Sequence, residues 1–240
     1  MKLKLIIAST STVYGGSYLE YLKDELAQHF YKVETLMFIP YARPSGMSHD
    51  AYTGVARNFF EKININVKGI HECKDPKEAI RQAQGIFTGG GNTFVLVKQL
   101  YDRHLWDILR EKILSGTPYL GTSAGSNITG QSMQTTNDMP IVAVPDYKTL
   151  GIFPFNINPH YLDPAPDLLK HMGETRDTRL KEYLYFNTTP VVALREGSWI
   201  EATNNHYYLK GEHTARVYFN LNDIREIPSE TDLKPLFATN

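Results

Sequence analysis

Ser123 stands where a serine can be made reactive. It lies in Gly121-Thr122-Ser123-Ala124-Gly125, a G-x-S-x-G run that follows the apolar Pro118-Tyr119-Leu120. That order predicts a strand turning sharply into a helix with the serine at the apex, the flanking glycines admitting a turn that a Cβ would obstruct. The free N–H groups at the start of the following helix favour negative charge beside the hydroxyl. The same residues also suit a tight strand-to-helix turn with no chemistry.

A nucleophilic serine needs a base, a group to orient the base, and donors for the oxyanion. The Ala124 amide directly follows the serine, and Gly90 and Gly91, in Thr88-Gly89-Gly90-Gly91-Asn92-Thr93-Phe94, offer backbone amides unobstructed by side chains; two such donors stabilise a tetrahedral oxyanion. No lysine follows the glycines at P-loop spacing, which disfavours a nucleotide-phosphate cradle. Of eight histidines, His160 is the candidate base: Ile157-Asn158-Pro159-His160 follows the apolar Ile152-Phe153-Pro154-Phe155 and reads as another strand end. Two acids could orient it. Asp138 lies in the polar loop Thr135-Thr136-Asn137-Asp138, and Glu196 lies just past an apolar strand in Leu194-Arg195-Glu196-Gly197. Triads occur in several chain orders, so order does not choose between them.

Six blocks resemble one family: GGGNTF at 89–94, GxSAGxN at 121–127, TTNDMPIV at 135–142, INPH at 157–160, GETR at 173–176 and EGxWI at 196–200. In that order and near-constant spacing they are similar to the serine-peptidase family that holds the α-aspartyl dipeptidase peptidase E and the cyanophycinases. The resemblance implies a fold like class I glutamine amidotransferases, with serine in place of cysteine. It implies that Ser123 attacks the peptide carbonyl, that His160 takes its proton and that Asp138 supports His160, while Glu196 matches a family glutamate able to fill the same role and competes as the third member of the triad. Gly90, Gly91 and Ala124 would form the oxyanion hole. Arg176 and Asn92 would contact substrate, Arg176 gripping the aspartyl carboxylate with two parallel bonds; Arg179, one turn on, is the reserve. Thr122 and Ser126 depart from the family's tryptophan and alanine, which puts the pocket wall in question. The implied activity is hydrolysis of Asp-Xaa dipeptides through an aspartyl-enzyme ester, without cofactor or metal. The alternatives are an isoaspartyl or cyanophycin-type hydrolase of the same superfamily, or a non-catalytic binding module.

The elements that must carry these residues are legible in outline. Strand signals at Leu3–Ala8, Val33–Ile39, Val67–Ile70, Ile86–Phe87 and Tyr119–Leu120 alternate with helical spacing at Tyr18–Phe30, Asp50–Ile63, Pro76–Gln84 and Phe94–Leu114. Repeated βα units predict a mostly parallel sheet with helices on both faces and ligand-binding loops along one edge. Short strands at 191–194, 198–202, 206–209 and 215–219 predict antiparallel hairpins finishing that sheet. A single α/β domain over 1–240 follows, with a lid expected from Arg43-Pro44-Ser45-Gly46.

Bulk composition narrows the classes. A chain of 240 residues with 42% hydrophobic residues and a net charge of -1 has the core of a globular enzyme and lacks the basic block of a nucleic-acid binder. Cys73 is the only cysteine, which excludes an internal disulfide and a cysteine-rich metal site and suits a cytoplasmic setting. No apolar run reaches membrane-spanning length. The expected partner is a small peptide, with no nucleic acid and no membrane, and the expected state is a monomer or small homo-oligomer.

Overall fold

The computed structural model describes residues 3–43, 46–164 and 174–237. Pro44 and Ser45 of the expected lid, His171, and Gly173 of the GETR block lie outside the described residues. Five parallel strands form the frame: β1 (Lys4–Ala8), β2 (Thr35–Ile39), β3 (Asn66–Gly69), β4 (Gly85–Thr88) and β5 (Tyr119–Thr122). Between them run α1 (Lys23–His29), α2 (His49–Phe60), α3 (Pro76–Gln82), α4 (Thr93–Asp102) and α5 (Trp106–Leu114). Strand side chains alternate between two cores, because successive residues point to opposite faces. Leu5 and Ile7 pack with α3, α4 and α5 on one face; Ile6 and Ala8 pack with α1 and α2 on the other. Both faces are thus covered, as a parallel sheet requires.

The helix expected over 94–114 is two helices. His104 adopts φ 53°, and its neighbours close a Schellman turn, with Leu105 N–H donating to Leu100 O at 3.0 Å. Asn92 caps α4, its Oδ1 accepting from Val95 N–H at 3.1 Å.

The second half continues with the one-turn α6 (Ala124–Asn127), β6 (Asn156–Asn158), α7 (Arg176–Phe186), β7 (Val191–Leu194), β8 (Ser198–Thr203), β9 (His206–Gly211), β10 (Ala215–Asn220) and β11 (Asp223–Ile227). Among the described residues only the β8–β9 hairpin extends the main sheet, giving the order β3-β2-β4-β5-β1-β8-β9 with β8 antiparallel to β1. The remaining strands form a separate four-stranded sheet, β11-β10-β7-β6, in which β6 and β7 are parallel. The expectation that the tail strands all finish one sheet is corrected accordingly. The transfer between sheets happens at Arg195–Gly197, where Gly197 supplies φ 86°. No described helix is long and apolar enough to cross a membrane.

Candidate active site

Ser123 sits at the apex between β5 and α6 with φ 53° and ψ -111°, a backbone conformation unfavourable for a residue with a Cβ. The surroundings hold it there. Ser123 N–H donates to Ala8 O at 3.1 Å, while Ser123 O accepts from Ser126 and Asn127 N–H, both at 2.9 Å. The close packing explains the glycines: a Cβ on Gly125 would lie 2.1 Å from Thr88 O. Ser126 is fully buried, and its hydroxyl proton is shared between Ala8 O at 2.6 Å and Gly121 O at 2.8 Å. This departure from the family pattern therefore braces the turn from beneath instead of shaping a pocket wall. Thr122 is likewise fully buried.

His160 follows β6 through Pro159 and also has a left-handed backbone, φ 54°. Its Nε2 lies 2.8 Å from Ser123 Oγ, and its Nδ1 lies 2.7 Å from Glu196 Oε1. The carboxylate can only accept, so Nδ1 carries the proton and donates to Glu196; Nε2 then accepts from the serine hydroxyl. The array is open to solvent on one side, with the His160 and Glu196 side chains 32% and 48% exposed. Ser9, just past β1, fixes the histidine backbone: its Oγ accepts from His160 N–H at 2.8 Å and donates to Leu194 O at 2.8 Å. Sequence reasoning passed over Ser9; its position at the C-terminal end of a parallel strand, beside the Ser123 strand, was the available signal.

Asp138 is not the histidine's partner. Its Oδ2 accepts from Thr93 N–H at 2.7 Å, Thr93 Oγ1 at 2.6 Å and Thr136 Oγ1 at 3.0 Å. The carboxylate is committed to the first turn of α4, where free amides and the helix dipole favour it. Its loop is nevertheless tied to that of His160, since Asn137 Nδ2 donates to Pro159 O at 2.7 Å and Asn158 Nδ2 to Asn137 Oδ1 at 2.9 Å. Asn92 is occupied at both ends of its amide, capping α4 and donating from Nδ2 to Met139 O at 3.0 Å. Asn92, expected to contact substrate, thus has its side-chain amide engaged within the protein.

Arg176 opens α7 and brings its guanidinium to the same place. Among the described residues its Nη1 is buried without a hydrogen-bond partner. Desolvation lowers its pKa, and the neighbouring charges that oppose this are Glu196 and Asp138. A partly buried cation with a donor left free by the described residues is suited to an incoming carboxylate. Arg179 instead lies exposed, 3.5 Å from Glu174. Among the described residues the amides of Gly90, Gly91 and Ala124 donate to no backbone acceptor. Gly90 lies against the serine: a Cβ there would be 2.9 Å from Ser123 Cβ and 3.5 Å from Oγ.

Among the described residues one group could gather a metal ion, Asp50, His71 and Glu72, with ligand atoms within 4.8 Å of one another. Glu72 is already engaged by Arg57 at 2.6 Å and by Gly69 N–H at 2.8 Å.

An activated serine, a histidine held by an acid, and unpaired amides on a parallel sheet edge are the parts of a covalent hydrolase. The family model described as Peptidase family S51 matches residues 5–210, and the chain belongs to that family. A probable alpha-aspartyl dipeptidase of Drosophila melanogaster is 42% identical over 217 residues, covering 89% of each chain. Peptidase E of Streptomyces coelicolor is 42% identical over 234 residues, covering 98% of this chain and 95% of its own. Among solved structures, a peptidase from an acI-B1 Actinobacterium superposes with TM-score 0.71 at 16% identity, over 98% of this chain and 97% of its own. A putative peptidase E from Listeria monocytogenes superposes at 0.61 and 21% identity, over 88% of this chain and all of its own. These two structures establish the shared α/β fold.

Proposed function

We propose that this protein is a serine-type aspartyl dipeptidase whose single α/β domain hydrolyses Asp-Xaa dipeptides with N-terminal L-aspartate. One observation carries the reading: the unbroken bond path from Ser123 through His160 to Glu196, near Arg176, whose Nη1 has no hydrogen-bond partner among the described residues.

As Ser123 Oγ attacks the carbonyl carbon, its proton passes to His160 Nε2. The resulting imidazolium is held by Glu196, and the tetrahedral oxyanion faces the amides of Gly90, Gly91 and Ala124. His160 then protonates the leaving amine, and the C–N bond breaks to leave an aspartyl ester on Ser123. Water, deprotonated by His160, hydrolyses that ester and restores the serine.

Arg176 takes the side-chain carboxylate of the substrate. A substrate without that charge leaves the guanidinium desolvated and unpaired, costing about 2–5 kcal/mol. Asp138 has a second role open to it. The three described bonds of its carboxylate all end on Oδ2, so Oδ1 is offered to the substrate's N-terminal ammonium. A cytoplasmic enzyme acting as a monomer or small homo-oligomer completes the proposal, supported by the lone Cys73.

The test is turnover of Asp-Leu, Asn-Leu and isoAsp-Leu, with Ser123→Ala as control. Cleavage of Asp-Leu alone, lost in the variant, is the expected result. Preferential cleavage of isoAsp-Leu would move the assignment to an isoaspartyl hydrolase, and no turnover of any substrate would remove it.

A further inference from the structure

We infer that Arg195 is a positioning residue that holds His160 in its reactive geometry through Asp163, an inference that rests on the assignment of His160 as the base. His160 has an unfavourable backbone and a side chain aligned at both nitrogens, so its loop must be gripped from outside. Three consecutive residues grip it. Leu194 O accepts from Tyr161 N–H at 2.9 Å. Glu196 receives the imidazole. Between them, Arg195 forks onto Asp163, Nε to Oδ2 and Nη2 to Oδ1, both at 2.7 Å.

The other edge of the same guanidinium is anchored in the four-stranded sheet. Nη1 donates to Thr214 O and Thr214 Oγ1, both at 2.8 Å, and to Glu226 Oε2 at 3.0 Å; Nη2 reaches Glu226 Oε1 at 3.2 Å. Its carbon lies 5.4 Å from the centre of the Tyr161 ring, the residue beside His160. The Arg195 side chain is only 17% exposed, so these bonds are poorly screened and the planar fork fixes direction as well as charge. Asp163 and Glu226 are both held ionised below the usual carboxylate range by this arginine. One rigid side chain thus ties the histidine loop to β11 and to the acid that orients the imidazole.

The two halves of the clamp separate the positioning role from plain stabilisation. Asp163→Asn breaks the half facing His160; Glu226→Gln breaks the half facing β11. Positioning predicts that Asp163→Asn and Arg195→Met each lower kcat for Asp-Leu by about 10- to 100-fold with KM changed less than about threefold, because a small misplacement of a catalytic group acts on the reacting state. Arg195→Lys, which keeps the charge and loses the fork, should recover only part. Glu226→Gln should lower Tm and leave kcat near wild type. The rate at which a fluorophosphonate labels Ser123 should fall in step with kcat, and it reads the same geometry without a peptide. Undiminished labelling and turnover in Asp163→Asn, or equal losses in Glu226→Gln and Asp163→Asn, would overturn the inference. A wild-type chain that labels but cleaves no dipeptide would count against the substrate assignment alone, since the labelling rates of the variants still test the clamp.

Discussion

Thr93 and Asp138, 45 residues apart, are joined twice, the Thr93 amide and hydroxyl both donating to Asp138 Oδ2 at 2.7 and 2.6 Å. This pair of hydrogen bonds to the head of α4 separates the two acids in the structure. Asp138 braces the head of α4 beside the glycine loop, while Glu196 bonds the histidine.

The two acids should therefore fail differently. Glu196→Gln keeps the side chain's size and removes the charge that stabilises the imidazolium. It should lower kcat by about 100- to 10,000-fold with little change in KM. Asp138→Asn should act mainly on KM, raising it about 10-fold or more through loss of the ammonium contact. Steady-state kinetics with Asp-Leu resolve the two; a kcat collapse in Asp138→Asn with Glu196→Gln active would reverse the assignment.

Arg176 should govern selectivity. Arg176→Met is expected to lower kcat/KM for Asp-Leu about 100-fold or more while Asn-Leu, already poor, changes far less. Competition between the two dipeptides measures the ratio directly. A ratio unchanged by the substitution would assign the carboxylate subsite elsewhere.

Two glycines predict opposite outcomes for one added methyl. Gly90→Ala sets a Cβ 2.9 Å from Ser123 Cβ and displaces the nucleophile, so kcat should fall about 100-fold with a modest change in Tm. Gly125→Ala meets the Thr88 carbonyl at 2.1 Å in a buried turn, so this variant should not fold stably. Thermal melts and turnover on the same samples compare them.

His29 should make the fold sensitive to acid. Burial, aided by Lys4, pushes its pKa down from 6.5 to about 3. Below pH 6.5 the unfolded chain takes up a proton that the native chain refuses until about pH 3. Its contribution is thus fully present above pH 6.5 and is lost as pH falls, at about 1.4 kcal/mol per unit. Against His29→Leu, wild type should lose about 2 kcal/mol more between pH 7 and pH 5 in urea unfolding. Parallel pH profiles would mean that His29 titrates normally.

The parallel frame, Ser123 and His160 were legible because each sits at a strand end, and strand ends in a βα frame share one edge. The partner of His160 was not, since the choice depends on how the 195–197 crossover docks, and both acids read as polar loop residues. The break at His104 carries no glycine or proline to announce it. The four-stranded sheet was obscured by β6, three residues with polar Asn156 and Asn158 around Ile157. These asparagines use their amides on Tyr183 and on the 135–137 loop, a pattern that only tertiary contacts reveal.

The crossover that bears Glu196 also sets an order on biosynthesis. Ser123 and His160 leave the ribosome well before Glu196, and β1 keeps an open sheet edge until β8 arrives to pair with it. Hydrolytic competence is thus deferred until Glu196 has been translated. The nascent chain meanwhile exposes a strand edge that folding factors, or another nascent chain, can engage.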